Sequence, residues 1–253
     1  MDIRAEQLRV SASDLAKHLA CRHLTSLDLK AARGEIDRVY RDDPSLAVLA
    51  ERGFLKEPAV RRGGNQDLRD RYAAHQAMIT NFRITLCLAT RDRHDVELPF
   101  FQRESLTLRD RVTIPKAGGP HTYPINPDGF FGLRFPELPE GRNRAFFFLE
   151  ADRSTMTGRR FVAKLLGYAH WRADGGHTRK LGIKGFRVLT VTTSEARMRN
   201  LAGLAARTDA LRDTLALLWF TAEARFTPKD PQSFFSPIWE TPDRLGERQK
   251  LLP

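Results

Sequence analysis

Cysteine is nearly missing from this chain: 253 residues hold two, Cys21 and Cys87, with no CxxC and no Cys/His cluster. That excludes a disulfide framework and leaves too few ligands for a structural zinc site. Long apolar runs are missing as well. The longest, Leu215 to Phe220 and Ala145 to Leu149, fall far short of the roughly 20 residues that a bilayer-crossing helix needs. The opening MDIRAEQLRVSASD has no apolar stretch of signal-peptide type, so the expected location is cytoplasmic, with no membrane partner. Neither Gly (17) nor Pro (14) dominates, which excludes a collagen-like or low-complexity chain.

Acid is scarce relative to base: 31 Asp+Glu stand against 42 Lys+Arg, a formal net charge of +11 at pH 7. Clustered Lys and Arg attract phosphate and release counterions on binding, so nucleic acid or an anionic surface is the expected partner. With 41% hydrophobic and 29% charged residues the chain can bury a core, and its length allows one large domain or two small ones.

Residues 11–36 carry Leu15, Leu19, Leu24, Leu27 and Leu29 behind a capping Ser13 or Asp14, a helical pattern that stops near Gly34. Ser45 opens a second short helix that ends at Gly53. Pro58, Arg61, Arg62 and the pair Gly63-Gly64 then read as a linker at about residues 57–67. The expected organisation is a helical N-terminal segment, 1–66, followed by an α/β domain, 67–253.

Beyond the linker, helical spacing runs from Leu68 to Thr90, and strands are expected over 96–101, 105–114, 130–135 and 145–151. A helix over about 157–172 follows, then a β-branched strand over 186–193. Ser194 caps a long helix whose apolar spacing continues to Leu218. Strands and helices alternating in this way predict a mixed central sheet flanked by helices.

Two segments carry the chemistry: NPDGFF, 126–131, and FFFLEAD, 146–152. Glu150 and Asp152 are two apart, so in a strand they leave the same face, and Asp128 opens the neighbouring strand. Carboxylates gathered so repel one another unless a cation neutralises them, and hard oxygen ligands suit Mg²⁺ or Mn²⁺. Such an ion activates water against a phosphodiester. Lys164, on a helix face with Arg160 and Tyr168 at spacings of four, is the candidate cation at the attacking water. Each residue also has a plainer reading: NPDG is a good type I turn, Asp152 can cap the next helix, and Lys164 can be a solvated surface lysine. Arg61-Arg62, Arg159-Arg160, Arg142, Arg144 and Arg153 either contact phosphates or solubilise loops, and only clustering in space separates the two.

These residues, together with HQAMITNFRI, the lysine and tyrosine of AKLLGY, VLTVTTSEARMRNL and the late FT…PIW, resemble the replication-relaxation family of plasmids and mobile elements, over roughly residues 68–240. The resemblance implies a place in the PD-(D/E)XK restriction-endonuclease-like superfamily and a role in replication or relaxation of plasmid DNA, with replication proteins as further partners. By position Asp128 resembles the first acidic residue of the motif and Glu150 the second, which makes these two the expected metal ligands. Where that superfamily has a lysine two residues after the second acid, this chain has Asp152, and Lys164 is the substitute from the following helix. The expected catalytic set is Asp128, Glu150, Asp152 and Lys164. Two functions stay open: a Mg-dependent endonuclease, and a non-catalytic DNA-binding or replication-accessory module that keeps the fold. Residues 11–36 also resemble the opening of RecB-like nucleases, although the missing C-terminal cysteines exclude an iron–sulfur cluster. A competing reading takes SLAVLAERGFLKEP, 45–58, as a remnant of a winged helix.

Overall fold

The computed structural model describes residues 2–4, 7–9, 64–103, 108–115, 119–154 and 156–251. The N-terminal helices expected over 11–36 and 45–53, most of the linker, and the segments likened to RecB-like nucleases and a winged helix lie outside the described residues. The chain forms two compact units, residues 1–80 and 81–253. In the first, strands β1 (Asp2–Arg4) and β2 (Gln7–Arg9) pair antiparallel, and helix α1 (Gly64–Arg91) begins there and continues into the second. Helix α1 starts at Gly64, so the end of the expected linker is helical.

Phenylalanine organises the second unit. In β6 (Gly129–Arg134) and β7 (Arg144–Asp152), Phe130 pairs with Phe148 and Phe131 with Phe147 in antiparallel register. Because neighbouring residues point to opposite faces, each pair serves a different face of the sheet. On one face Phe101, Phe131 and Phe147 stack across three strands at 5.6 and 4.9 Å and meet Phe82 of α1. On the other, Phe148 packs on Tyr168, Trp171 and Phe186.

The five-stranded sheet runs β3 (Glu97–Arg103), β6, β7, β8 (Arg187–Thr192), β9 (Leu218–Ala222). Its first three strands are antiparallel and its last three parallel. The parallel half needs crossovers, which α2 (Gly158–Ala173), the short α3 (Gly176–Leu181) and α4 (Glu195–Ala206) supply. Thr157 caps α2 and Ser194 caps α4, each accepting from the backbone N–H three residues on. A separate two-stranded sheet, β4 (Asp110–Ile114) with β5 (His121–Ile125), shares a core with α2. Gly167 of α2 admits it: a Cβ there would stand 3.3 Å from that of Tyr123. The mixed α/β architecture is the expected one.

One local expectation is corrected. The helix expected from Ser194 to Leu218 ends at Ala206; a 3-10 segment, Asp209–Leu217, follows, and Leu218–Ala222 is the edge strand β9. Strand β5 and helix α3 were not foreseen. Trp171, Trp219 and Trp239 are buried, as core residues should be.

Candidate functional site

The face of β7 that looks at α2 carries Arg144, Phe146, Phe148, Glu150 and Asp152 in alternation. Ladder pairing brings Asp128 opposite the acidic end of this row. Its N–H donates to the Leu149 carbonyl at 2.9 Å and its Oδ2 accepts from the Ala151 N–H at 2.7 Å. Asp128 stands in the bend that leads into β6 and is also tied by these two bonds to β7.

Glu150 is 3% exposed. One of its oxygens is ion-paired with the Lys164 ammonium and the other accepts from the Tyr168 hydroxyl at 2.5 Å. Both partners come from α2 at the spacing of four that sets side chains on one helix face. Burial, reinforced by the nearby charge of Asp128, outweighs Lys164 and pushes the Glu150 carboxyl up to about 7. Burial, then the charge of Glu150, holds Tyr168 well above the ordinary phenol range, so it stays a donor. The structure thus brings together Asp128, Glu150 and Lys164.

Asp152 is held differently. The Arg197 guanidinium grips both its oxygens, at 2.7 and 3.0 Å, and donates also to the Met156 carbonyl. It does not cap α2, since Thr157 does. Just beyond, Ser154 adopts φ 61°, a strained conformation for a residue with a side chain. Its N–H bonds Asp152 and its hydroxyl bonds Thr193. Arg160 is exposed.

Sequence reasoning left three neighbours out of the site. Tyr168 was visible by its spacing from Lys164. Arg197 and Thr190 had no local signal. Thr190 is paired with Glu150 in the parallel register of β7 and β8, and its buried hydroxyl has no hydrogen-bond partner.

Among the described residues, no group of three or more His, Cys, Asp or Glu side chains is arranged to hold a metal ion. A divalent cation would have Asp128 and Glu150 as its protein ligands. That donor set fits Mg²⁺, which binds through one or two carboxylates and completes its shell with water and substrate oxygens. The orphaned Thr190 hydroxyl beside Glu150 is a group that a water shell would satisfy. Among the described residues no helix is long and apolar enough to cross a membrane. A family model described as replication-relaxation matches residues 5–185, which include all four predicted site residues. No curated protein and no solved structure matches the chain.

Proposed function

The chain belongs to the replication-relaxation family, and from that premise we propose that it acts on DNA in the replication or relaxation of a plasmid or mobile element, as a metal-dependent phosphodiesterase of PD-(D/E)XK type. What supports this reading is the convergence of Asp128, Glu150 and Lys164 at one end of the sheet. Asp128 and Glu150 would hold Mg²⁺ or Mn²⁺, which when bound lowers the pKa of a water and balances charge on the scissile phosphate. Asp128 accepts from the Ala151 N–H, which fixes the direction of its carboxylate. Tyr168 orients the Glu150 carboxylate. Lys164, released from Glu150 as that charge finds another partner, is placed to orient the attacking water or to meet the charge that develops on phosphate. Asp152 acts as a positioning residue: through Arg197 it ties the first turn of α4 to the end of β7.

One observation favours the second reading, a DNA-binding or replication-accessory module without cleavage. Both oxygens of Glu150 and both of Asp152 are already engaged by protein donors, which leaves a closed, internally neutralised cluster. The two readings part in one experiment. Supercoiled plasmid is incubated with Mg²⁺ or Mn²⁺ and wild type, Asp128→Asn or Glu150→Gln, with folding checked by circular dichroism. Relaxed or linear product from wild type alone supports hydrolysis at these carboxylates. An equal band shift in all three, with no change of topology, sinks the catalytic reading and leaves the binding one.

A further inference from the structure

The other end of β7 is built from opposite materials. A cavity of about 750 Å³ opens there, between the start of β7 and the loop that enters β8. That volume lies within the range of small-ligand clefts. Among the described residues, Arg134, Arg144, Lys184 and Arg187 line it against a single acid, Glu140. Arg134 is paired with Glu97 on the surface. Among the described residues Arg144, Lys184 and Arg187 have no acidic partner. Arg187 lies over the Trp219 ring at 4.7 Å and donates to the Leu251 carbonyl, which holds its guanidinium in place. Burial without a compensating anion pulls its pKa down, the condition that a bound phosphate would relieve.

The cavity wall also gives access to main chain. Gly182 and Gly185 bracket Lys184, and a Cβ built on either meets nothing within 4 Å. An oxyanion can therefore approach this loop without steric hindrance.

A second cavity, of about 480 Å³, adjoins the first and shares Arg134, Arg144 and Phe146 with it. Its wall includes Phe100, 36% exposed, whose ring lies over Gly132. A Cβ at Gly132 would come within 2.8 Å of that ring, so glycine is what lets the aromatic face lie against the strand and look outward. The Phe100 and Phe146 ring centres are 6.5 Å apart. Unpaired cations beside outward aromatic faces are the combination that holds single strands, with phosphates on the cations and unstacked bases on the rings. A duplex keeps its bases stacked and gives such rings nothing to hold.

We propose that this basic and aromatic end of the sheet is a single-stranded nucleic-acid site, separate from the carboxylate cluster, in which Arg144, Lys184 and Arg187 take phosphates and Phe100 and Phe146 take bases. It stands independently of whether the carboxylates cut DNA.

The test is fluorescence anisotropy on the full chain with labelled dT15, rU15 and a 15-base-pair duplex over a range of salt. Wild type should bind a single strand more tightly than the duplex, and the tighter of dT15 and rU15 names the strand. Arg144→Ala/Lys184→Ala should weaken that binding about tenfold and lower the slope of log K against log salt by about 1.4, two contacts at about 0.7 each. Phe100→Ala should weaken it about fivefold while leaving the salt slope alone, and Phe100→Tyr should restore it. Asp128→Asn and Glu150→Gln should bind as wild type, which separates this site from the hydrolytic reading. Unchanged affinity and slope in the double variant would overturn the proposal. Loss on charge removal with equal binding of duplex, and none on Phe100→Ala, would overturn its assignment to single strands.

Discussion

Arg144 and Glu150 lie on the same face of one strand and are treated in opposite ways. At its start β7 is exposed, Arg144 has no acidic partner among the described residues and two cavities flank it. At its end the carboxylates are buried, and Glu150 and Asp152 have every oxygen bonded to protein. Charge in water needs no partner, whereas charge removed from water costs several kcal/mol, typically about 3, unless it is paired. The difference separates an end free to bind from an end that must first be rearranged to react.

Four substitutions sharpen or break this contrast. Lys164→Met removes the cation beside a buried carboxylate and should cost the most, about 3 kcal/mol in urea unfolding at pH 7.5. A loss below about 0.5 kcal/mol would mean that the acidic end is less buried in solution than the contrast requires. Glu150→Gln tests the proton. Because burial raises the folded-state pKa from 4.5 to about 7, the folded chain keeps a proton between those values that the unfolded chain has released. The contribution of this group to stability is then greatest below pH 4.5 and falls as pH rises through 7, by on the order of 3 kcal/mol. Glu150→Gln should flatten that slope in metal-free buffer, and a wild type whose melting temperature is level from pH 5 to 8 would contradict it. Tyr168→Phe removes one hydrogen bond to Glu150 and should cost about 1 to 2 kcal/mol, with a further rise of the Glu150 pKa, followed through the carboxyl carbon by NMR. Arg144→Ala, at the open end, should shift stability by less than about 0.5 kcal/mol. A loss comparable to that of Lys164→Met would erase the contrast.

The sequence made some of this legible. Phenylalanine runs and β-branched residues marked β6, β7 and β8, and the cap Ser194 marked the start of α4, because those signals are local. The place of Lys164 and Tyr168 on one helix face followed from spacing alone. Strand β5 was hidden by Pro124, which weakens a strand signal and is tolerated here in a two-stranded sheet. Leu211, Leu215 and Leu218 continue the spacing of α4, so the break at Ala206 was invisible until β9 paired with β8. Arg197 and Thr190 reach the site through pairings between segments distant in sequence, which no local pattern encodes. Asp128 stands in a bend, as its turn sequence suggests, and its hydrogen bonds to Leu149 and Ala151 are likewise made with a segment distant in sequence.

The mixed direction of the sheet carries a kinetic consequence. β6 and β7 form an antiparallel hairpin closed by a short loop, residues 135–143, whereas β8 and β9 reach the sheet only after helical crossovers. Closing the shorter loop loses less chain entropy, so the hairpin is expected to form early and the parallel half later. Asp128 and Glu150 would then meet before α2 delivers Lys164 and Tyr168. For that interval the nascent sheet holds two facing carboxylates without Lys164 beside them, and folding is expected to quicken in mildly acid or salty solution, where their repulsion is protonated away or screened.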